Sequence, residues 1–149
     1  MQNTFFQKNI ITKKDYLFEL IIKAYKDNLE AVVLFGSVAR GDFAVYSDID
    51  LLVVLGESNL SFRKRIDEFY ENVGYYFEEH FLSPLVLKSN ELDKFHPMYL
   101  GIFDNYMVLY DKSGIIDKVV QDIKKKIEKG VVKEEYHHSK YWRISDAAQ

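Results

Sequence analysis

The chain of 149 residues contains no cysteine, so neither a disulfide nor a thiolate metal site is available to it. Its two prolines and seven glycines leave no stretch with the composition of a long flexible linker. No apolar run approaches the roughly 20 residues that span a bilayer. The first residues also lack the basic, apolar and small-residue succession of a secretory signal. These absences predict a soluble, cytoplasmic protein without a membrane partner.

An excess of charge of one sign is also missing, because the net charge is only −3 at pH 7. A weak acidic balance gives no global attraction to nucleic acid, which argues against a nucleic-acid partner. Hydrophobic residues make up 48% of the chain and charged residues 29%, the composition of a globular protein. The sequence therefore predicts a single domain over residues 1–149 with enough apolar material for a core.

Hydrophobic periodicity divides the chain into alternating helices and strands. Helices are predicted over 12–28, 60–73, 90–103 and 115–127. Strands are predicted over 31–35, 48–55, 75–87 and 106–110. Pro97 is expected to break the third helix into two pieces, and the chain from Val131 onward shows little pattern. This order of elements predicts an α/β (α+β) fold, a short mixed β-sheet flanked by helices.

The start of the first predicted helix carries a capping signal. Thr12 can serve as the N-cap residue, and Asp15 three residues later makes a weak capping box. From Leu17 onward, apolar residues recur at helical spacing. One continuous amphipathic helix packed on the sheet is therefore expected here.

A Gly-Ser pair, Gly36 and Ser37, directly follows the apolar strand at 31–35. Such a pair combines minimal bulk, a hydroxyl group and backbone N–H groups at a strand end. These groups can hold phosphate oxygens, particularly where a helical turn begins. Taken alone, the pair is also typical of an ordinary transition from a strand to a turn.

Two acidic residues, Asp48 and Asp50, open the next strand. Separated by one residue, their side chains project from the same face of the strand. Adjacent carboxylates repel each other unless a cation lies between them, and Mg²⁺ prefers carboxylate, water and phosphate oxygens. Each acid alone could be a solvated residue at a strand start. Together with the Gly-Ser pair, they predict phosphoryl or nucleotidyl transfer.

The string GSVARG from Gly36, followed by SDIDLLVV from Ser47, resembles the signature of the DNA polymerase β-like nucleotidyltransferase superfamily. Within it, the string is similar to the minimal nucleotidyltransferase (MNT) group associated with HEPN-domain partners. The resemblance implies the nucleotidyltransferase fold. It also implies transfer of a nucleoside monophosphate, such as AMP from ATP, to a hydroxyl acceptor with release of pyrophosphate.

The resemblance further implies roles for individual residues. Asp48 and Asp50 would hold two Mg²⁺ ions, while Gly36 and Ser37 would bind the β- and γ-phosphates of the triphosphate. The family pattern also has a third catalytic, metal-binding carboxylate on a neighbouring strand. The best match is Glu79, on one face of the predicted strand at 75–87. The alternatives are that Ser83 or Phe81 occupies that family position and that Glu79 is an exposed strand carboxylate.

Other polar residues near the motif have more than one interpretation. Arg40 is a candidate phosphate ligand, since its guanidinium fork matches phosphate oxygens. A surface salt bridge with Asp42 or Glu57 is the alternative for Arg40. The four histidines show no metal-ligand spacing and are interpreted as surface or packing residues, namely His80, His96, His137 and His138.

These features favour an enzyme that modifies a separate protein. No helical substrate-binding domain is expected within the chain, which favours a HEPN-type protein partner and an antitoxin role in a HEPN/MNT pair. The alternative is a catalytically weak or inactive nucleotide-binding module that neutralises a partner by binding it. A nucleic-acid 3′-end transferase is disfavoured by the acidic charge and the lack of a basic aromatic groove. A homo-oligomer is compatible with the sequence.

Overall fold

The computed structural model describes residues 5–137 and 139–145. The helices are α1 Phe5–Thr12, α2 Lys14–Tyr25, α3 Ser37–Arg40, α4 Phe62–Asn72, α5 Met98–Ile102 and α6 Ile115–Glu128. The strands are β1 Leu29–Phe35, β2 Ile49–Leu55, β3 Tyr76–Phe77, β4 His80–Lys88, β5 Tyr106–Asp111, β6 Val132–His137 and β7 Ser139–Ile144. In the part of the chain that is described, no helix has the length and apolar character needed to cross a membrane.

Five strands form one mixed sheet in the order β3-β4-β2-β1-β5. β1 lies antiparallel to both β2 and β5, whereas β2 and β4 are parallel. β3 and β4 form an antiparallel hairpin at one edge. The predicted fold class, a short mixed β-sheet flanked by helices, is confirmed.

The core lies on both faces of β1 and β2, whose apolar side chains are almost all buried. In β2, Leu51 and Val53 pack into a cluster with α1, α2 and α4, while Leu52 and Val54 pack into a cluster with α5 and α6. Full burial of one such side chain contributes about 1.5–3 kcal/mol. Both strands are therefore held rigidly where they meet the candidate site.

The first predicted helix is in fact two helices. Thr12 is the last residue of α1, and α2 is preceded by Lys13 without a side-chain cap, so the prediction of Thr12 as N-cap is wrong. The reason is that α1 has buried residues of its own, Gln7 and Ile10, which pack it onto the domain. Tertiary burial of this upstream segment overrides the local capping signal.

The strand predicted over 75–87 is a hairpin instead. Glu78 and Glu79 form its turn, with φ angles of 51° and 69°. Two-residue hairpin turns commonly take positive φ at both positions, and Asn, Asp or Gly normally supplies it. Two glutamates give no such signal, so the turn was missed. Pro97 does separate two helical pieces, the 3₁₀ turn Ser89–Asp93 and α5.

The last described residues form a second, two-stranded antiparallel sheet, β6 with β7. Val132 is fully buried, and Trp142 and Ile144 pack against the same core cluster as α6. The side chains along β7 alternate between exposed and half-buried. The hydrophobic pattern of this segment is weak because only one face of the hairpin packs against the core.

Candidate active site

The antiparallel pairing of β1 with β2 brings the Gly-Ser pair to the acidic pair. Phe35, the last residue of β1, pairs with Asp50, the second residue of β2. Gly36 follows at once and lies against the Asp50 carboxylate. Sequence-distant residues are thus neighbours at one end of the sheet.

Gly36 leaves room for the Asp50 carboxylate. A Cβ atom at position 36 would lie 2.2 Å from Oδ2 of Asp50, much closer than any real contact of that kind. The backbone of Gly36 also has φ +68°, a region that favours glycine. Both the close approach and the backbone conformation therefore require glycine at this position.

Ser37 begins the single helical turn α3, and backbone and side-chain hydrogen bonds hold this turn in position. The amides of Ala39 and Arg40 donate to the carbonyl oxygen of Gly36 at 3.1 and 2.9 Å. The side-chain amide of Gln7, buried on α1, donates to the carbonyl oxygen of Val38 at 2.8 Å. Gln7 could not be predicted from the sequence, because a single glutamine carries no site signal.

The loop that leads to Asp48 is anchored in the core. Phe43 is fully buried, and its ring lies 4.5 Å from the ring of His80. His80 donates its Nδ1–H to the carbonyl oxygen of Ser47 at 2.9 Å, since a carbonyl oxygen can only accept. The hydroxyl oxygen of Ser47 in turn accepts from the amide of Ala44 at 2.9 Å. His80 is thus the packing residue expected, and it also fixes the residue before Asp48.

The two aspartates differ in burial. Asp48 is exposed, and Asp50 is half-buried. Burial raises the pKa of Asp50 above its usual value, the charge of Asp48 raises it further, and Arg40 opposes the rise. No ion pair to either carboxylate is formed within residues 5–137 and 139–145. The site therefore concentrates negative charge that a cation would relieve.

Arg40 forms the salt bridge that was its alternative interpretation. Its Nε–H donates to both carboxylate oxygens of Asp42 at 3.1 Å, and both side chains are exposed. Its positive charge nevertheless acts on Asp50 and offsets part of the rise in the pKa of that carboxyl group. A contact of Arg40 with phosphate stays a prediction.

The structure does not place Glu79 where the sequence analysis expected it. Glu79 is in the hairpin turn and not on a strand face. In the described parts of the chain, no three Asp, Glu or His side chains are grouped so that they could hold a metal ion. The structure therefore does not group Glu79 with Asp48 and Asp50 as expected, and metal binding by the two aspartates stays a prediction. Glu79 was assigned to a strand face by counting alternate residues through 75–87, but the turn at Glu78 and Glu79 interrupts that alternation.

On β4, the residue that lies next to Asp50 across the ladder is Ser83. In the parallel ladder of β2 with β4, Ser83 pairs with Asp50. This was one of the alternatives considered for the position. A hydroxyl group, and not a third carboxylate, stands beside Asp50.

Known proteins that are similar in sequence are nucleotidyltransferases or candidate adenylyltransferases. The sequence profile of a family described as a nucleotidyltransferase domain matches residues 18–142. A candidate protein adenylyltransferase of Methanocaldococcus jannaschii is 31% identical over 137 residues, covering 82% of this chain and 85% of that protein. An aminoglycoside nucleotidyltransferase (4′) of Staphylococcus aureus is 28% identical over 108 residues, covering 71% of this chain and 41% of that enzyme.

Solved structures share the fold at lower identity. A spectinomycin adenyltransferase of Enterococcus, with ATP and spectinomycin, has a TM-score of 0.53 and 16% identity over 87% of this chain and 68% of that chain. A chain of the Shewanella oneidensis complex between a tri-AMPylated HEPN toxin and an MNT antitoxin has a TM-score of 0.50 and 14% identity. That match covers 80% of this chain and 91% of the other.

Proposed function

The chain belongs to the nucleotidyltransferase family, as its motif predicted, and we propose that it transfers AMP from Mg·ATP to a hydroxyl group on a separate protein. One observation carries the proposal. The half-buried Asp50 carboxylate, with Asp48 two residues away, lies against the glycine of the Gly36–Ser37 strand end. The residues proposed to bind the polyphosphate therefore lie next to the residues proposed to bind the cation.

Asp48 and Asp50 would hold Mg²⁺, and their chemistry fits that ion. Mg²⁺ takes carboxylate oxygens and completes its coordination shell with water and substrate phosphates. When bound, it would stabilise the negative charge that develops during transfer at the α-phosphate. The raised pKa of Asp50 supports this role, because a bound cation would remove the repulsion from Asp48.

Gly36 and Ser37 would bind the β- and γ-phosphates. Helix geometry leaves the amides of Ser37 and Val38, the first two residues of α3, without partners inside that turn, and Ser37 is half-buried. Gln7 keeps the turn in place through the Val38 carbonyl. These residues would position the triphosphate so that its α-phosphorus lies near the aspartates.

The choice of adenylate and of a protein acceptor is supported by the relatives. The Methanocaldococcus relative is a candidate protein adenylyltransferase, and the match covers 85% of its length. The aminoglycoside enzyme is matched over only 41% of its length. The fold is also shared with a complex of a HEPN toxin and an MNT antitoxin. We therefore extend the proposal to a HEPN-type acceptor, with this chain as the antitoxin.

Ser83 favours a second candidate, a module that binds Mg·nucleotide and its partner without transfer. A hydroxyl group next to Asp50 is a poorer ligand for a second Mg²⁺ than a carboxylate would be. In that case the partner would be neutralised by occlusion alone.

Incubation with ATP labelled at the α-phosphate, Mg²⁺ and a co-purified helical partner separates the two candidates. Label on the partner that is lost in Asp48→Asn supports transfer. Asp122→Asn is the matched control, because Asp122 pairs with Lys126 on α6 and has no part in the site. Tight partner binding without label supports the module. Calorimetry that finds no Mg²⁺-dependent affinity for ATP, GTP, CTP or UTP contradicts both.

A further inference from the structure

Four aromatic side chains form a surface at the β3–β4 edge, here called the aromatic shelf: Tyr70, Tyr75, Tyr76 and Phe81. The rings of Tyr70 and Tyr75 are stacked, with centroids 4.6 Å apart and planes 14° from parallel. The Phe81 ring lies 5.7 Å from that of Tyr70, and Tyr76 meets Phe81 edge-on at 5.5 Å. Tyr75 is 55% exposed and Tyr76 is 67% exposed. Aromatic surface this accessible is available to bind a ligand.

The aromatic shelf is fastened to the strand that flanks the aspartates. The Tyr70 hydroxyl donates to the carbonyl oxygen of Leu82 at 2.8 Å, and the Leu82 amide donates to the carbonyl oxygen of Tyr75 at 2.7 Å. Leu82 pairs with Ile49, which lies between the two aspartates in sequence. The charge of Asp48 is close enough to contribute, after burial, to a raised pKa of Tyr70.

Strand order sets the direction in which the acceptor reaches the site. Gly36 and Ser37 follow β1. Asp48 directly precedes β2, Asp50 is the second residue of β2, and Phe81 belongs to β4 on the other side of β2. Adjacent strands are about 4.8 Å apart. Leaving pyrophosphate on the β1 side therefore requires an in-line attacking oxygen to come from the β4 side. The oxygen that joins the nucleoside to the α-phosphorus stays bonded, and it lies off the axis between the attacking and the leaving oxygen.

The charge around the aromatic shelf restricts what can bind there. Residues 66–81 contain five acidic residues and neither lysine nor arginine, and one of the five, Glu78, is paired with Lys13 at 3.0 Å. Glu71 and Glu79 are exposed. Exposed aromatic faces and carboxylates together attract lysine and arginine side chains. The complementary ligand is a basic one.

We propose that the aromatic shelf is the docking surface for the acceptor, a basic polypeptide segment that presents a hydroxyl group to the α-phosphate. This rests on the proposed function. In the reaction, the acceptor oxygen forms a bond to the α-phosphorus, and the bond between that phosphorus and the oxygen bridging to the β-phosphate breaks. Pyrophosphate leaves toward Gly36 and Ser37, and the hydroxyl proton passes to water.

The test compares two fluorescein-labelled peptides by anisotropy: one with a single tyrosine among lysines and arginines, and one with glutamates in place of the basic residues. We expect the wild-type chain to bind the basic peptide and not the acidic one. The variant Tyr75→Ala/Tyr76→Ala should lose about tenfold in affinity. Tyr16→Ala, which removes an equally exposed tyrosine from α2, should bind as the wild type does.

The affinity for Mg·ATP is measured on the same variants by calorimetry. It should stay within about twofold of wild type in Tyr75→Ala/Tyr76→Ala, because Gly36 and the aspartates are untouched. If Mg·ATP fails to bind to wild type, the proposed function is wrong, while the peptide measurement still tests the aromatic shelf. Equal binding of both peptides, no binding of the basic one, or an equal loss in Tyr16→Ala would overturn the docking proposal. Unchanged thermal unfolding checks that the variants are folded.

Discussion

At the scale of single residues, the contact between Gly36 and the Asp50 carboxylate leaves no room for a side chain at position 36. Gly36→Ala would bring a Cβ to 2.2 Å from Oδ2 of Asp50 in a backbone with φ +68°. We expect a loss of roughly 2–4 kcal/mol in the free energy of unfolding, about 1 kcal/mol of it from the positive φ alone. Urea denaturation measures it.

Gly114→Ala is a control for a positive φ without a close contact. Gly114 has φ +79° and ψ 16°, the left-handed helical region, whereas Gly36 has ψ −145°, where glycine is favoured more strongly. Nothing lies within 4 Å of the Cβ position of Gly114, so only the smaller backbone cost is present there. Gly36→Ala should therefore lose more stability than Gly114→Ala, and only Gly36→Ala should lose nucleotide affinity. Equal losses in both variants would mean that the close approach to Asp50 costs nothing.

The pKa of Asp50 leads to a prediction about pH. Because that pKa is raised in the folded protein, the folded state favours the protonated carboxyl group more than the unfolded state does. The resulting stabilisation is complete below the unfolded pKa and is lost as pH rises through the folded pKa. Asp50→Asn removes the charge, so at pH 7 this variant should unfold at a higher urea concentration than wild type.

The same variant should lose nucleotidyl transfer by about a hundredfold or more, because a metal-binding carboxylate is gone. Its stability advantage over wild type should shrink as pH is lowered toward the unfolded pKa of an aspartate. Urea curves at several pH values measure the difference. An advantage that stays constant with pH would show that the charge of Asp50 is not its source.

At the scale of elements, the loop between α3 and β2 depends on His80. His80→Phe keeps a ring against Phe43 but removes the donor to the Ser47 carbonyl. We expect a loss of about 1–3 kcal/mol in stability, since that carbonyl oxygen loses its partner. Hydrogen exchange should become faster over residues 42–48, and Mg·ATP affinity should fall.

His96→Phe is the control, since His96 is exposed and its side chain contacts the nearby residues Met98 and Tyr99. It should leave exchange in the loop unchanged. If His80→Phe leaves loop exchange and Mg·ATP affinity at wild-type values, His80 is only a packing residue.

The elements also show where sequence reasoning reaches its limit. β1 and β2 were predictable because continuous apolar runs of that length suit strands buried on both faces. The β3–β4 hairpin was not, because Glu78 and Glu79 lack the residue types that mark such turns. The misplacement of Glu79 followed directly from that missed turn.

At the scale of the whole molecule, binding of Mg·ATP should stabilise the fold. Ligand at roughly a hundred times Kd adds about 2.7 kcal/mol to the free energy of unfolding, which corresponds to an increase of roughly 5–10 °C in Tm for a chain of this size. Thermal unfolding with ATP and Mg²⁺, with ATP and EDTA, and without nucleotide measures the shift. The shift should disappear with EDTA and in Asp48→Asn. A shift of equal size with EDTA would contradict the role of the metal.

The sequence by itself predicted a phosphate and cation site at Gly36, Ser37, Asp48 and Asp50, and it determined the alternation of helices and strands. These follow from short-range spacing and from which side chains can be buried. Tertiary structure alone decided that Ser83 pairs with Asp50, that Gln7 bonds to the turn α3, and that His80 holds the loop before Asp48. Those contacts join residues about 30 positions apart, and only the register of the folded sheet brings them together.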